Sequence, residues 1–228
     1  MMASVLWVAF CTHSGEAEVL LREDFERLDS WAPLHFRTIG KHTTYTIVVN
    51  AGQSALRAHS DASASALIYR GHFNVYTYPK MRWRWKVEDV YKRGFVGTIG
   101  GDDAPIRLSI TFRHDLWRGS FWDKIKYGFL SVGHGDARYS NLQYIWANAR
   151  HLESVVTSPY DKGTRMIPLQ QGEKKIGVWI LEDVNILRDY ERAFGVKPPA
   201  MASMAIMNDS DNTGEESVSY VDFIEVYQ

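Results

Sequence analysis

Two stretches of the chain alternate apolar and polar residues with a period of two, the pattern of a strand that buries one face. In Lys80–Val87, Met81, Trp83, Trp85 and Val87 fall on one side, and Arg82, Arg84 and Lys86 on the other. In Ile106–Arg113, Ile106, Leu108, Ile110 and Phe112 alternate with Arg107, Ser109, Thr111 and Arg113. Both patterns predict half-buried strands, with the apolar face on a core and the polar face on solvent. Runs of similar character predict strands over Val19–Phe25, Thr43–Asn50, Ser54–His59, Ser65–Phe73, Leu142–Ala149, Arg165–Leu169, Lys175–Leu181, Met201–Met207 and Ser217–Tyr227. Pro79, Pro105, Pro159 and Pro198-Pro199 lie between runs, where a missing N–H costs no ladder bond. Pro168 lies inside one, which predicts an edge strand or a loop for Arg165–Leu169.

A single helix is predicted from about Val184 to Phe194, with Leu187, Tyr190 and Phe194 on one stripe and Gly195 as its stop. Many strands and one late helix predict an all-β fold, an antiparallel two-sheet sandwich of the jelly-roll or lectin-like kind. A parallel βαβ fold would need crossover helices that this pattern does not supply. No solenoid-length repeat and no Pro/Ser/Gly-rich linker divides the chain, so residues 18–228 read as one domain.

Composition narrows the function classes. Apolar residues make up 45% of the 228, enough for a core, and 23% charged residues argues against disorder. A net charge of −1 gives no electrostatic reason to expect nucleic acid as a partner. Cys11 is the one cysteine, so an internal disulfide is excluded. The apolar run Ala3–Phe10 is shorter than the roughly 20 residues of a transmembrane helix. It suits the hydrophobic part of a signal peptide, which makes residues 1–17 a leader and predicts a periplasmic or otherwise exported protein. Its first basic residue is Arg22, later than a signal peptide requires, and cytoplasmic residence stays the alternative. Whether Cys11 carries a lipid stays open as well.

A series of short motifs carries a resemblance. They are Ser63-Ala64-Ser65, Pro79 through Val87, Asp102-Asp103-Ala104-Pro105-Ile106-Arg107, Tyr144-Ile145-Trp146, Asp189-Tyr190 with Phe194-Gly195, and Met207 through Thr213. In this order the chain resembles the bacterial family known as domain of unknown function 3047. The resemblance implies a bacterial protein, often with an export signal, and supplies no reaction, substrate or catalytic residue.

The chemistry must therefore come from the residues. Arg82, Arg84, Lys86, Arg107 and Arg113 would line one sheet surface if their two strands were neighbours. Tyr144 and Trp146 share a face of their strand and would stack on sugar rings. Cations that grip carboxylate or sulfate, together with aromatics that cover the apolar side of a sugar, suit an oligosaccharide or an anionic polysaccharide. The structural alternative is that Arg82, Arg84 and Arg107 are ion-paired with Asp102, Asp103, Glu182 or Asp189.

Two acidic loops are candidates for a hard cation such as Ca2+ or, for the first, for sugar hydroxyls. One is Gly100–Pro105 with Asp102 and Asp103; the other is Asn208–Gly214 with Asp209, Asp211 and Asn212. An EF-hand is excluded, because the twelfth position counted from Asp209 is Tyr220 rather than a glutamate. Ordinary Asx-rich turns are the alternative. Asp102, Asp103, Glu182, Asp183, Asp189, Asp209 and Asp211 form the pool for glycoside hydrolysis, and Tyr144, His114 and His134 the pool for a lyase base. Three functions stay open: a carbohydrate-binding or cell-envelope module, a polysaccharide-cleaving enzyme, and a structural envelope protein.

Overall fold

A computed structural model describes residues 17–113 and 139–228. Residues 1–16 with Cys11, most of the expected leader, lie outside the described residues, as do His114 and His134. The described strands build two facing sheets. The six-stranded sheet runs β12 (Ile180–Asn185), β7 (Lys80–Val87), β14 (Glu216–Tyr227), β4 (Gln53–Asp61) and β3 (Thr44–Asn50), with β1 (Val19–Glu23) also on β14. The eight-stranded sheet runs β10 (Val156–Thr157), β11 (Thr164–Gln171), β9 (Tyr139–Ala147), β8 (Ala104–Arg113), β13 (Met201–Asp209), β5 (Ala64–Tyr69) and β2 (Trp31–Leu34). The two-residue β6 (Phe73–Asn74) joins it on β13. Pairing is antiparallel throughout except between β9 and β11, which run parallel. The expected sandwich is therefore present, with one parallel pair in it.

Period-two patterning explains the core. On β7, Met81, Trp83, Trp85 and Val87 are fully buried, while the residues between them are half-buried. They meet Leu142, Tyr144 and Trp146 of β9 and the apolar face of β8 in one continuous cluster. Trp83 and Trp85 sit edge to face at 5.3 Å, and they lie 5.4 and 6.1 Å from Tyr144 and Trp146 of the opposite sheet. Large rings at such separations fill the gap between sheets and favour one arrangement of it.

Among the expected strands, β8 and β12 depart from their patterns, while the Pro168 run takes the edge-strand form expected of it. β8 is buried on both faces, for Arg107, Ser109 and Thr111 are as enclosed as the apolar residues between them. Pro168 sits inside β11, which is a strand; β10 pairs only with Arg165 and Met166, so no partner asks for a proline N–H on that side. On the other side the register with β9 slips between Pro168 and Gln170. β12 begins at Ile180 rather than Lys175, because Lys174–Gly177 form a turn, with Gly177 in the left-handed region at φ 74°.

Helix α1 (Ile186–Phe194) starts two residues later than its pattern suggested, since Val184 is still in β12. Asn185 caps it by accepting the Arg188 N–H, and Gly195 ends it at φ 73°. Tyr190 packs on Phe112, and its hydroxyl meets that of Ser140 at 2.7 Å. Asp189 accepts a bond from the Tyr144 hydroxyl at 3.0 Å, so a tyrosine rather than a sheet arginine pins the helix. No helix among the described residues is long and apolar enough to cross a membrane.

Candidate functional site

Arg82, Arg84 and Lys86 point outward from β7 onto the open face of the six-stranded sheet. Arg107 and Arg113 are on β8, in the other sheet, so the five cations do not share a surface. The neighbouring strand β14 supplies the counter-charges. Glu225 lies directly across from Arg82 and meets it at 2.5 Å; it also holds Arg22 at 2.9 Å. Asp222 pairs with Arg84. It is the extra residue of a bulge between Val221 and Phe223, which lets it face the same way as Phe223. Lys86 meets Glu88 at 2.6 Å. The expected ion pairing of Arg82 and Arg84 is real, but the partners are Glu225 and Asp222 rather than Asp102, Asp103, Glu182 or Asp189.

Aromatic rings are interleaved with these cations. Trp179, just ahead of β12, and Tyr220 of β14 lie 6.2 Å apart at an interplanar angle of 60°. Lys86 Nζ is 4.4 Å from the Tyr220 ring and 5.6 Å from Trp179, and the Arg84 guanidinium is 5.4 Å from Trp179. Trp179 is still 37% exposed, and Leu181 beside it 58%. Further down the strip Arg82 lies over Tyr227 at 5.1 Å and Arg22 over Phe223 at 4.5 Å.

Tyr144 and Trp146, the rings expected to stack on sugar, are wholly buried between the sheets. They share the β9 face of Leu142, and the Trp146 indole N–H donates to the Gly172 carbonyl at 3.2 Å. Neither ring presents a face to a ligand. Trp179 was hidden from sequence reasoning inside a run read as strand, and only the register of β12 on β7 brings it beside Tyr220.

The two acidic loops meet at one end of the sandwich. Asp103 accepts backbone N–H groups from Thr213 at 2.6 Å and from Asn212 at 3.4 Å. Asp209 accepts the Ala104 N–H at 3.2 Å and is gripped by Arg107 through Nε at 2.9 Å and Nη2 at 3.0 Å. Arg107 also donates to the Asp102 carbonyl and to the Gln143 side chain. Arg107 is thus an internal tie and not a surface contact. Asp102 accepts the Gly97 N–H at 2.8 Å, which shapes its own loop.

Oxygens of Asp103, Asp209 and Asp211 lie within 4.8 Å of one another, close enough to supply part of a hard cation's shell. The Asn212 side-chain amide donates to Asp211, and its oxygen accepts from the Tyr160 hydroxyl, so that oxygen is already engaged. Burial raises the Asp209 carboxyl to about 7 in spite of Arg107, and burial also raises Asp102 and Asp211. The carboxylates outside this junction are engaged as well. Glu182 accepts from the Trp85 indole and from Gln170, and Asp183 accepts from the Tyr227 hydroxyl. Glycosidases set their two carboxyls about 5–9.5 Å apart around a substrate. The junction carboxyls are closer, and Asp103 and Asp209 are enclosed.

Comparison with solved structures finds remote similarity to carbohydrate-binding modules, a cellulase and a carbohydrate recognition domain. The family 11 carbohydrate-binding module of the cellulosomal cellulase Lic26A-Cel5E of Clostridium thermocellum is 10% identical, with 92% of this chain and 94% of that chain covered and a TM-score of 0.45. A thermo-stable cellulase derived from Cel12A of Rhodothermus marinus is 10% identical over 87% of this chain and 97% of that one, with a TM-score of 0.45. The carbohydrate recognition domain of Emp46p is 12% identical over 90% and 91%, with a TM-score of 0.40. Likeness at this level carries no statement about a ligand. No curated protein sequence matches the chain. A family model does match residues 29–225, and the chain belongs to that family, described as protein of unknown function (DUF3047).

Proposed function

We propose that the chain binds an uncharged oligosaccharide on the open face of its six-stranded sheet. The observation that carries this reading is Trp179, a large ring left 37% exposed beside Tyr220 and flanked by Arg84 and Lys86. An indole at a solvent-facing surface offers apolar area to the C–H side of a sugar ring. The paired guanidinium and carboxylate groups next to it offer donors and acceptors to the hydroxyls around the ring's edge. Arg82 and Arg84 already hold Glu225 and Asp222, so the charges nearest the rings are locally compensated. A uronate or sulfate chain would have to displace those carboxylates, so the expectation of an anionic ligand gives way to an uncharged one.

A glycan array followed by calorimetry on each hit tests the reading. Trp179→Ala is expected to weaken binding about tenfold, the equivalent of about 1.4 kcal/mol, with no loss of thermal stability. The bound glycan is expected to be recovered uncleaved. Unchanged affinity in Trp179→Ala, or hits confined to sulfated and uronic chains, would overturn the proposal.

A further inference from the structure

One edge of the six-stranded sheet is open. Among the described strands, β3 pairs only with β4. We propose that this edge is a self-pairing surface, onto which a second copy of the chain adds its own β3 in antiparallel orientation. The other edges of the described sheets carry the usual guards against such pairing. β12 holds Glu182 and Asp183, whose carboxylates would face each other across a self-paired edge. β1 holds Arg22 and Glu23 and has an irregular register between Val19 and Leu21. β2 is four residues long and contains Pro33, and β6 and β10 have two residues each. By contrast, β3 reads Thr-Tyr-Thr-Ile-Val-Val-Asn, with no charge, no proline and an unbroken register on β4.

The turn after β3 fixes which backbone groups face outward. Ala51 and Gly52 both have positive φ, 50° and 81°, as in the primed two-residue turn of a tight hairpin. The residues that close such a turn, here Asn50 and Gln53, exchange both hydrogen bonds. Bonding alternates from there, so Thr44, Thr46 and Val48 bond to β4. The N–H and carbonyl groups of Tyr45, Ile47 and Val49 then point away from β4, toward the open edge. An antiparallel partner centred on Ile47 sets Tyr45 opposite Val49 of the second copy and Ile47 opposite itself. The outward donors and acceptors answer one another in that register. The side chains match too: Thr46 falls opposite Val48, and Tyr45 against Val49 is an aromatic–β-branched pair. Tyr45 is already held in place, because its hydroxyl donates to the Ser65 carbonyl at 2.6 Å. Val49 is 68% exposed until a neighbour covers it. The strand is thus complementary to itself, and the two-fold contact closes at two copies.

Sedimentation of the full chain from about 1 to about 500 µM tests this. One strand edge is smaller than the roughly 800 Å² per partner of a standard interface, so the dimer is reversible, with an expected Kd of about 50 µM. Thr46→Lys combined with Val48→Lys sets like charges opposite each other across the edge and is expected to raise that Kd at least about tenfold. Thr46→Glu combined with Val48→Glu is expected to do the same. Thr46 is exposed and Val48 half-buried on the open face, so both variants are expected to keep the parent's melting temperature within about 2 °C in dilute solution. An equimolar mixture of the two variants is expected to dimerise again, since each lysine then faces a glutamate. A wild-type chain still monomeric at about 500 µM, a dimer that the lysine variant retains, or variants that stay apart on mixing would each overturn the proposal.

Discussion

Replacing Arg107 by methionine should destabilise the protein more than any other single change to a charged residue. The substitution removes two bonds to Asp209, one to Gln143 and one to the Asp102 carbonyl. It leaves Asp209 at 4% exposure beside Asp103 at 0% and Asp102 at 8%, with no cation among them. Removing one partner of a buried ion pair costs about 3–5 kcal/mol, because the remaining charge stays out of water. At about 2–4 °C per kcal/mol for a chain of this size, the melting temperature should fall by roughly 6–20 °C.

The cost should also depend on pH, and the sign follows from Asp209. Its carboxyl is raised to about 7 by burial, far above the usual carboxylate range, so the folded protein holds a proton that the unfolded chain releases. Stability associated with this group is fully present near pH 4 and is lost as pH rises through about 7. Without Arg107 the carboxylates repel more strongly and the proton is held more tightly. The deficit of Arg107→Met should then be greatest at pH 8 and shrink at pH 5. Urea unfolding followed by tryptophan fluorescence at the two pH values measures it. A deficit under about 1 kcal/mol, or one equal at both pH values, would refute the account of Arg107 as the counter-charge of the loop junction.

Three further outcomes are expected. Calcium at millimolar concentration should shift the melting temperature by less than about 1 °C at pH 7, since Arg107 and backbone N–H groups already occupy Asp103 and Asp209. A rise of several degrees would make a cation the missing counter-charge. Tyr144→Phe removes only the hydroxyl that holds Asp189, which keeps Arg192 at 3.0 Å, and should cost about 1 kcal/mol in urea unfolding. Glu225→Ala should cost about 1–2 kcal/mol, less than Arg107→Met, because Arg22 and Arg82 are half exposed and regain water. Parity of those two losses in the same assay would contradict the burial argument.

Much of the fold was legible because period-two patterning reports a strand and its inward side directly. Lys80–Val87 is a strand with the expected residues in the core. The same pattern on β8 named Ile106, Leu108, Ile110 and Phe112 correctly as core, yet it could not show that Arg107, Ser109 and Thr111 are enclosed too. Periodicity separates two faces and is silent on what covers the polar one. Tyr144 and Trp146 carried a readable warning, since they stand two and four residues after Leu142 and share its side. The meeting of Asp103 with Thr213 spans 110 positions, and that of Arg82 with Glu225 depends on strand order. Neither leaves a local trace, so the counter-charges on both surfaces were legible as residue types but not as pairs.

The positions of β13 and β14 have a consequence for how the molecule comes together. These two strands, consecutive in the chain, enter different sheets, and each takes a central lane: β13 between β8 and β5, β14 between β7 and β4. A polypeptide interrupted near residue 200 would hold four long strands flanking two vacant lanes, each lined with unanswered N–H and carbonyl groups. The crossover that carries the chain from one lane to the next is the loop locked by Asp103 onto Thr213. That lock acts as the latch of the assembly, and the forms without it are the ones most open to joining edge to edge with another molecule.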